Sequence, residues 1–181
     1  MLRSANAFRG TAVVAADGRA GSIVDLYFDD RRWCVRYFVL DTGNPMPRRQ
    51  VLVSPAHALP GEAPPLRVGL SREQLAKCPE VDADKPVYLQ HDIAAIASRG
   101  DPHLRSYAQV RSYSVRALDG PRGRINDLLI DIDTWQIERL AVEMRLWFTD
   151  EQLLVAPADV ESIDWIAREV RVRVATRNRA A

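Results

Sequence analysis

Two stretches of this chain carry the same residues at a fixed distance. Asp17-Gly18, Gly21, Ile23, Asp25-Leu26, Asp29 and Trp33 recur as Asp119-Gly120, Gly123, Ile125, Asp127-Leu128, Asp131 and Trp135, each 102 positions later. The offset holds further on, where Gln50, Leu52-Val53 and Pro55-Ala56 return as Gln152, Leu154-Val155 and Pro157-Ala158, and Val68 returns as Val170. An ungapped match of this length implies two copies of one small fold with equal strand and loop lengths. The 181 residues are therefore expected to form two domains, at 5–70 and 107–175, with a connector at 71–106. Each copy spans about 65 residues, a size at which isolated stability is marginal. The copies are thus expected to pack on each other or on the connector.

The local signals are those of short strands and tight turns. In the first copy, residues 11–15, 22–28, 33–40, 49–54 and 66–70 read as strands, rich in β-branched and aromatic side chains. Their counterparts are 114–117, 124–130, 135–143, 151–156 and 169–175. Trp33 and Trp135 open equivalent strands and are expected to pack the interior. Gly18 and Gly120 supply the positive φ of tight turns, and Gly21 and Gly123 mark a bulge or corner. The pattern predicts an all-β fold with short helices, each copy a small antiparallel barrel. In the connector, Ser71 and Gln74 predict a capping box and a short helix over 72–77, stopped before Pro79. Residues 82–86 read as loop and 92–98 as a second short helix.

Composition bounds the chemistry. The net charge is +1 and only Lys77 and Lys85 are lysines, so the whole-chain balance argues against an electrostatic commitment to nucleic acid or anionic membrane. No stretch reaches the roughly 20 apolar residues of a membrane helix, and no secretory leader is legible; a cytoplasmic location is expected. Cys34 and Cys78 fit no metal or redox spacing, and Cys34 lies in an apolar strand pattern, as a buried free thiol would. His57, His91 and His103 pair at neither helical nor strand spacing, and His91-Asp92 is the one adjacent acid–base pair. The serines lack a nucleophile-elbow context. Asp25/Asp127 and Asp29/Asp131, with Asp133 added, read as acceptors for turn backbone rather than as a cation ladder. No catalytic, cofactor-binding or metal-binding residue is assigned, no cofactor is expected, and the chain is not read as an enzyme.

The repeated residues resemble the PRC-barrel family, whose members include the cytoplasmic part of the photosynthetic reaction-centre H subunit and a domain of the ribosome maturation factor RimM. Met1-Leu2-Arg3-Ser4, Leu70-Ser71-Arg72-Glu73-Gln74, Asp84-Lys85-Pro86-Val87 and Asp101-Pro102-His103-Leu104-Arg105-Ser106 are similar to stand-alone bacterial members with two copies. The resemblance spans essentially the whole chain. It implies two tandem small PRC-type β-barrels related by internal duplication, and a role in binding rather than catalysis. The chain has no counterpart of the H subunit's membrane helix, and a second PRC-like copy stands where the ribosome factor has a different barrel. Neither a light-reaction role nor ribosome contact therefore transfers residue by residue.

The expected function is that of a non-enzymatic protein-binding or scaffold module. The copies diverge where Asp41-Thr42-Gly43-Asn44-Pro45-Met46-Pro47 becomes Glu143-Met144-Arg145-Leu146-Trp147-Phe148-Thr149. Leu146, Trp147 and Phe148 in a loop are the candidate interface, since aromatic anchors there commonly mark a packed contact. The alternative is an RNA- or ribosome-associated factor using Arg168, Arg171 and Arg173 as a basic face, with Val170, Val172 and Val174 pointing inward. The partner is an unidentified protein in the first reading. The copies could face each other about a pseudo-two-fold axis or pair across a homodimer.

Overall fold

The computed structural model describes residues 1–43, 46–61, 64–87, 101–118, 120, 122–145 and 150–174. The expected helix at 92–98, the His91-Asp92 pair and Leu146, Trp147 and Phe148 lie outside the described residues. The chain is mostly β, and its helices are few and short. In order, the strands are β1 (Leu2–Ser4), β2 (Ala12–Ala15), β3 (Gly18–Asp29), β4 (Cys34–Asp41), β5 (Gln50–Val53) and β6 (Leu66–Arg67). After helix α1 (Arg72–Ala76) come β7 (Leu104–Ser106), β8 (Ser114–Arg116), β9 (Arg122–Asp131), β10 (Gln136–Arg145), β11 (Asp150–Val155), β12 (Val160–Asp164) and β13 (Glu169–Val172). They fall into two compact units, the first Ala5–Tyr107 and the second Met1–Ser4 with Ala108–Ala181. No described helix is long and apolar enough to cross a membrane, which says nothing of strands.

In the first unit the strand order is β6-β2-β3-β4-β5, with β7 antiparallel on β3. In the second it is β12-β13-β8-β9-β10-β11, with β1 antiparallel on β9. The expectation of wholly antiparallel pairing is corrected in both, since β2–β6 and β8–β13 run parallel. A parallel neighbour needs a long connection, and the strands between these partners in sequence provide one. Inward positions match at the offset of 102. Val13/Val115, Ile23/Ile125, Leu26/Leu128, Phe38/Leu140, Val53/Val155 and Val68/Val170 are all buried.

The turn chemistry explains the spaced Asp and Trp. Asp29 Oδ1 accepts from the amides of Arg31 and Arg32, and the Trp33 amide donates to Asp29 O at 2.7 Å. Asp131 repeats this with the amides of Asp133 and Trp135, the latter donating to Asp131 O at 2.6 Å. Closing a loop of this length requires one residue in the left-handed region. That residue is the tryptophan, at φ +53° for Trp33 and +59° for Trp135. Both therefore end the turn rather than open the strand, because the turn fixes the backbone before side-chain preference can act. Trp33 stacks on Phe28 with centroids 5.9 Å apart.

Two strands come from text that carries no apolar alternation. Leu2-Arg3-Ser4 and Leu104-Arg105-Ser106 are the same tripeptide 102 positions apart. Their registers agree: Leu2, Arg3 and Ser4 oppose Asp131, Ile130 and Leu129, while Leu104, Arg105 and Ser106 oppose Asp29, Phe28 and Tyr27. Ser4 Oγ donates to Asp127 and Ser106 Oγ to Asp25. These two aspartates thus receive the serine of the added strand as well as a neighbouring amide, from Leu128 and Leu26 at 2.8 Å.

In the connector, α1 has both arms of the expected capping box: the Gln74 amide donates to Ser71 Oγ, and the Ser71 amide to Gln74 Oε1. Residues 82–86 are not all loop, since a 3-10 turn, Val81–Ala83, runs into them. Cys34 is half-buried rather than buried; both cysteines are free, and burial pushes both thiols up.

Candidate functional site

Three surfaces differ from what the core requires. The first is a polar cluster in the first unit, where the β3–β4 turn meets the residues entering β7. Asp30 takes the Arg105 Nε at 2.5 Å on one oxygen and lies 2.9 Å from His103 Nδ1 through the other. Arg36 donates to Asp101 and lies 3.6 Å from Asp84. The His103 amide donates to Asp101 Oδ1 at 2.8 Å. Each of these carboxylates faces a cation, and the arrangement ties chain segments together. Among the described residues no group of three or more His, Cys, Asp or Glu side chains is placed to hold a metal ion.

The cluster has a pH signature. Burial acts to raise the Asp101 carboxyl, but the His103 amide and the Arg36 guanidinium outweigh it and hold it below the usual carboxylate range. A carboxyl depressed on folding adds stability above its unfolded pKa, and that stability is lost as pH falls through the folded value. Asp101→Asn is expected to cost about 1–2 kcal/mol at pH 7, the scale of a charge-assisted hydrogen bond. The gap from wild type should begin to narrow below about pH 4, where aspartate protonates in the unfolded chain, and close as pH falls through the lower folded value. Urea titrations across pH 3–7 read this, and a gap that stays constant would refute it.

The second surface is the outward side of β8, β9 and β13 in the second unit. Val115, Val170 and Val172 are buried while Arg116, Arg124, Arg171 and Arg173 are exposed, as strand alternation demands. Arg116 and Arg171 are direct neighbours across the parallel pair, and Ser114 lies between Glu169 and Arg124. Arg116, Arg171 and Glu161 line an open cleft of about 350 Å³ with Ala117, Leu118 and Val172. Arg168 ends the β12–β13 turn at φ +51° and is exposed. Arg171 pairs with Glu169 at 3.2 Å and Arg173 donates to Ala158 O at 3.0 Å. Among the described residues the guanidinium groups of Arg116, Arg124 and Arg168 have no partner. At the same offset the first unit holds Val14, Ser22, Leu66, Gly69 and Ser71 in place of Arg116, Arg124, Arg168, Arg171 and Arg173. Of the three predicted arginines, Arg171 and Arg173 thus share a face with two more, Arg116 and Arg124, which the offset comparison could have revealed, while Arg168 stands in the β12–β13 turn.

The third surface is apolar. In the first unit Tyr27, Val39, Leu52 and Leu104 form a buried cluster, flanked by Val24, Tyr37 and Val81. The segment after β6 covers it. Leu75 of α1 is fully buried, the Leu52 amide donates to Pro79 O at 2.8 Å, and Val51 and Glu80 form an antiparallel bridge. Arg49 holds this cover by donating to Ala76 O at 3.0 Å and to Glu80 Oε1 at 2.7 Å. The matching positions of the second unit are Leu129, Ala141, Leu154 and Leu2, with Asn126 and Arg139 in place of Val24 and Tyr37. There Leu154 is 39% exposed against 3% for Leu52, and Leu2 is 50% exposed against 0% for Leu104. Leu153 is half-buried where Val51 is fully buried. β11 pairs with β10, and among the described residues nothing pairs with its other edge. Inspection of the residues alone missed Leu2, Leu153 and Leu154. No protein-family model matches this chain, and no curated protein matches it.

Proposed function

We propose that this chain is a non-enzymatic protein-binding scaffold, built from two PRC-type β-barrels related by duplication. What supports two copies is the shared register of the exchanged Leu-Arg-Ser strands and the equivalence of the inward residues. The contact surface of this reading is the apolar patch beside β11. The observation that carries it is the contrast between Leu154 and Leu52, two residues at equivalent register, one open and one covered. Leu154 and Leu2 are exposed at the positions where the first unit buries Leu52 and Leu104 together, and exposed apolar patches mark interaction surfaces. The sequence-based interface, Leu146, Trp147 and Phe148, immediately precedes β11 in the chain and is part of the same proposal.

A second reading is favoured by the arginine face, whose positively charged residues occur in one copy alone: an RNA- or ribosome-associated factor contacting phosphate. One experiment separates the two. The tagged full chain is used as bait in cell extract, as wild type, Leu154→Asp and Arg116→Glu/Arg124→Glu, with and without nuclease. The scaffold reading expects a protein whose capture resists nuclease and is lost with Leu154→Asp. The RNA reading expects nuclease-sensitive capture, lost with the arginine variant and falling steeply with added salt. Capture indifferent to Leu154→Asp removes the first reading.

A further inference from the structure

We propose that the tip of the β12–β13 hairpin and the arginines around it dock the second unit on an anionic phospholipid surface. The proposal goes beyond the protein contact beside β11 and concerns different residues. The tip is Trp165-Ile166-Ala167, held between Asp164 and Arg168. Asp164 Oδ1 accepts from the amides of Ile166 and Ala167, both at 2.9 Å, and Arg168 closes the turn at φ +51°. The same turn joins β3 to β4 and β9 to β10, with Asp29 and Asp131 as acceptors and Trp33 and Trp135 in the left-handed place. There the matching tip residues are Arg31-Arg32 and Asp133-Thr134, all exposed. The backbone therefore does not demand apolar residues at these positions, yet the third occurrence of the turn has Ile166 and Ala167. Among the described residues Ile166 is the most exposed large hydrophobic, at 75%.

Cations surround this tip. The Arg168 carbonyl receives the Ser114 amide at 2.9 Å, which sets the start of β8 beside the turn. Arg111 stands in the turn entering β8. Arg124 is opposite Ser114 and Ser114 is opposite Glu169, so Arg124 lies two strands from the end of the hairpin, roughly 10 Å away. The acidic neighbours are engaged, Asp164 by the turn amides and Glu169 by Arg171 at 3.2 Å. At the offset of 102 the first unit has Pro64, Leu66 and Ser22 in place of Ile166, Arg168 and Arg124, so the apolar tip and the arginines occur together in one unit alone. An aliphatic tip with a tryptophan beside it and guanidinium groups around it suits a bilayer interface. There the tip enters the headgroup region and the arginines meet lipid phosphate. Nucleic acid phosphates would use the arginines and leave Ile166 without a role. The net charge of +1 does not oppose this, because the attraction falls off within a Debye length and depends on the face presented.

The test is flotation of the purified full chain with vesicles of phosphatidylcholine alone and of phosphatidylcholine mixed with phosphatidylglycerol. Expected is binding to the mixed vesicles and none to the neutral ones. Ile166→Ser should weaken it at least about tenfold through lost apolar burial, while Ile166→Leu should bind as wild type does. Arg124→Glu with Arg168→Glu should also weaken it at least about tenfold. Arg31→Glu with Arg32→Glu, the same charge change at the matching turn of the first unit, should leave it unchanged. Mixed vesicles with brominated acyl chains should quench the chain's tryptophan fluorescence, and Trp165→Phe should remove most of that quenching. Absence of binding to the mixed vesicles overturns the proposal. Binding that falls with the arginine pair but is indifferent to Ile166→Ser, with no quenching, is adsorption by charge alone and overturns it too. A labelled single-stranded RNA bound by the wild type and lost with the arginine pair, beside no vesicle binding, would assign these arginines to nucleic acid instead.

Discussion

Gly21→Ala is expected to cost about 4 kcal/mol and to leave the first unit largely unfolded at 37 °C. Gly21 sits at φ +140°, a backbone conformation side-chain-bearing residues rarely adopt, and such strain costs about 1–3 kcal/mol. A Cβ there would lie 2.2 Å from Asp41 O and 3.0 Å from Asp41 C and Thr42 Cα. All three are backbone atoms at the end of β4, so no rotamer change relieves the overlap, and overpacking adds about 1–3 kcal/mol more. Small domains have only about 5–15 kcal/mol in total. Gly43→Ala is the control, with nothing within 4 Å and no positive φ, and should fall within about 0.5 kcal/mol of wild type. Gly123→Ala should be milder than Gly21→Ala, because Gly123 has no positive φ and the nearest atom to its Cβ is the Sδ of the flexible Met144 side chain. Urea unfolding followed by far-UV circular dichroism orders the variants. A Gly21→Ala midpoint near wild type would mean that the β3–β4 crossing is looser than its geometry implies.

That glycine was legible in the sequence, and the reason separates what could be read from what could not. A residue repeated 102 positions on at a strand start marks a backbone demand that recurs, and Gly21 and Gly123 both meet the strand paired with theirs. The inward positions were legible for the same reason: alternation fixes the face of Val13, Val68, Val115 and Val170, and burial follows. The turn aspartates Asp29 and Asp131 were legible because their hydrogen bonds are local. What stayed hidden depends on partners distant in sequence. β1 and β7 are three residues long, and Arg and Ser carry no strand signal, so only the repeated Leu-Arg-Ser marked them. The parallel direction of β6 and β13 is encoded in the length of the intervening chain rather than in either strand. The left-handed tryptophans were misplaced because a strong strand former occupied the last position of a turn. The apolar face beside β11 was invisible because Leu52 and Leu154 are the same residue in the same local text. What distinguishes them is the segment that packs over Leu52 in the first unit, where Pro79 O receives its amide and Val81 joins its cluster, a contact between residues distant in sequence.

The same contrast makes the second large effect a paired one. Leu104→Ala is expected to destabilise the protein by about 2–5 kcal/mol, the range for deleting a buried leucine side chain and leaving part of its cavity. Leu104 is fully buried among Tyr27, Val39 and Leu52 with Val24, Tyr37 and Val81 around them. Leu2→Ala removes the same atoms from the same tripeptide at the same register and is expected to cost under about 1 kcal/mol, since half of that side chain already meets water. Local propensity, strand pairing and the Ser–Asp hydrogen bond are alike at the two sites, so the difference between the two costs measures their surroundings: the cover from residues 71–87, and Tyr27, Val39, Val24 and Tyr37 where the second unit has Leu129, Ala141, Asn126 and Arg139. Urea titration of both variants measures it. Equal costs would mean that Leu2 is as enclosed as Leu104 in solution, and the second unit would then have no open face for a partner to fill. A gap of 2 kcal/mol or more leaves Leu2 and Leu154 exposed at the place where the first unit buries Leu104 and Leu52, which is the condition a docked partner requires.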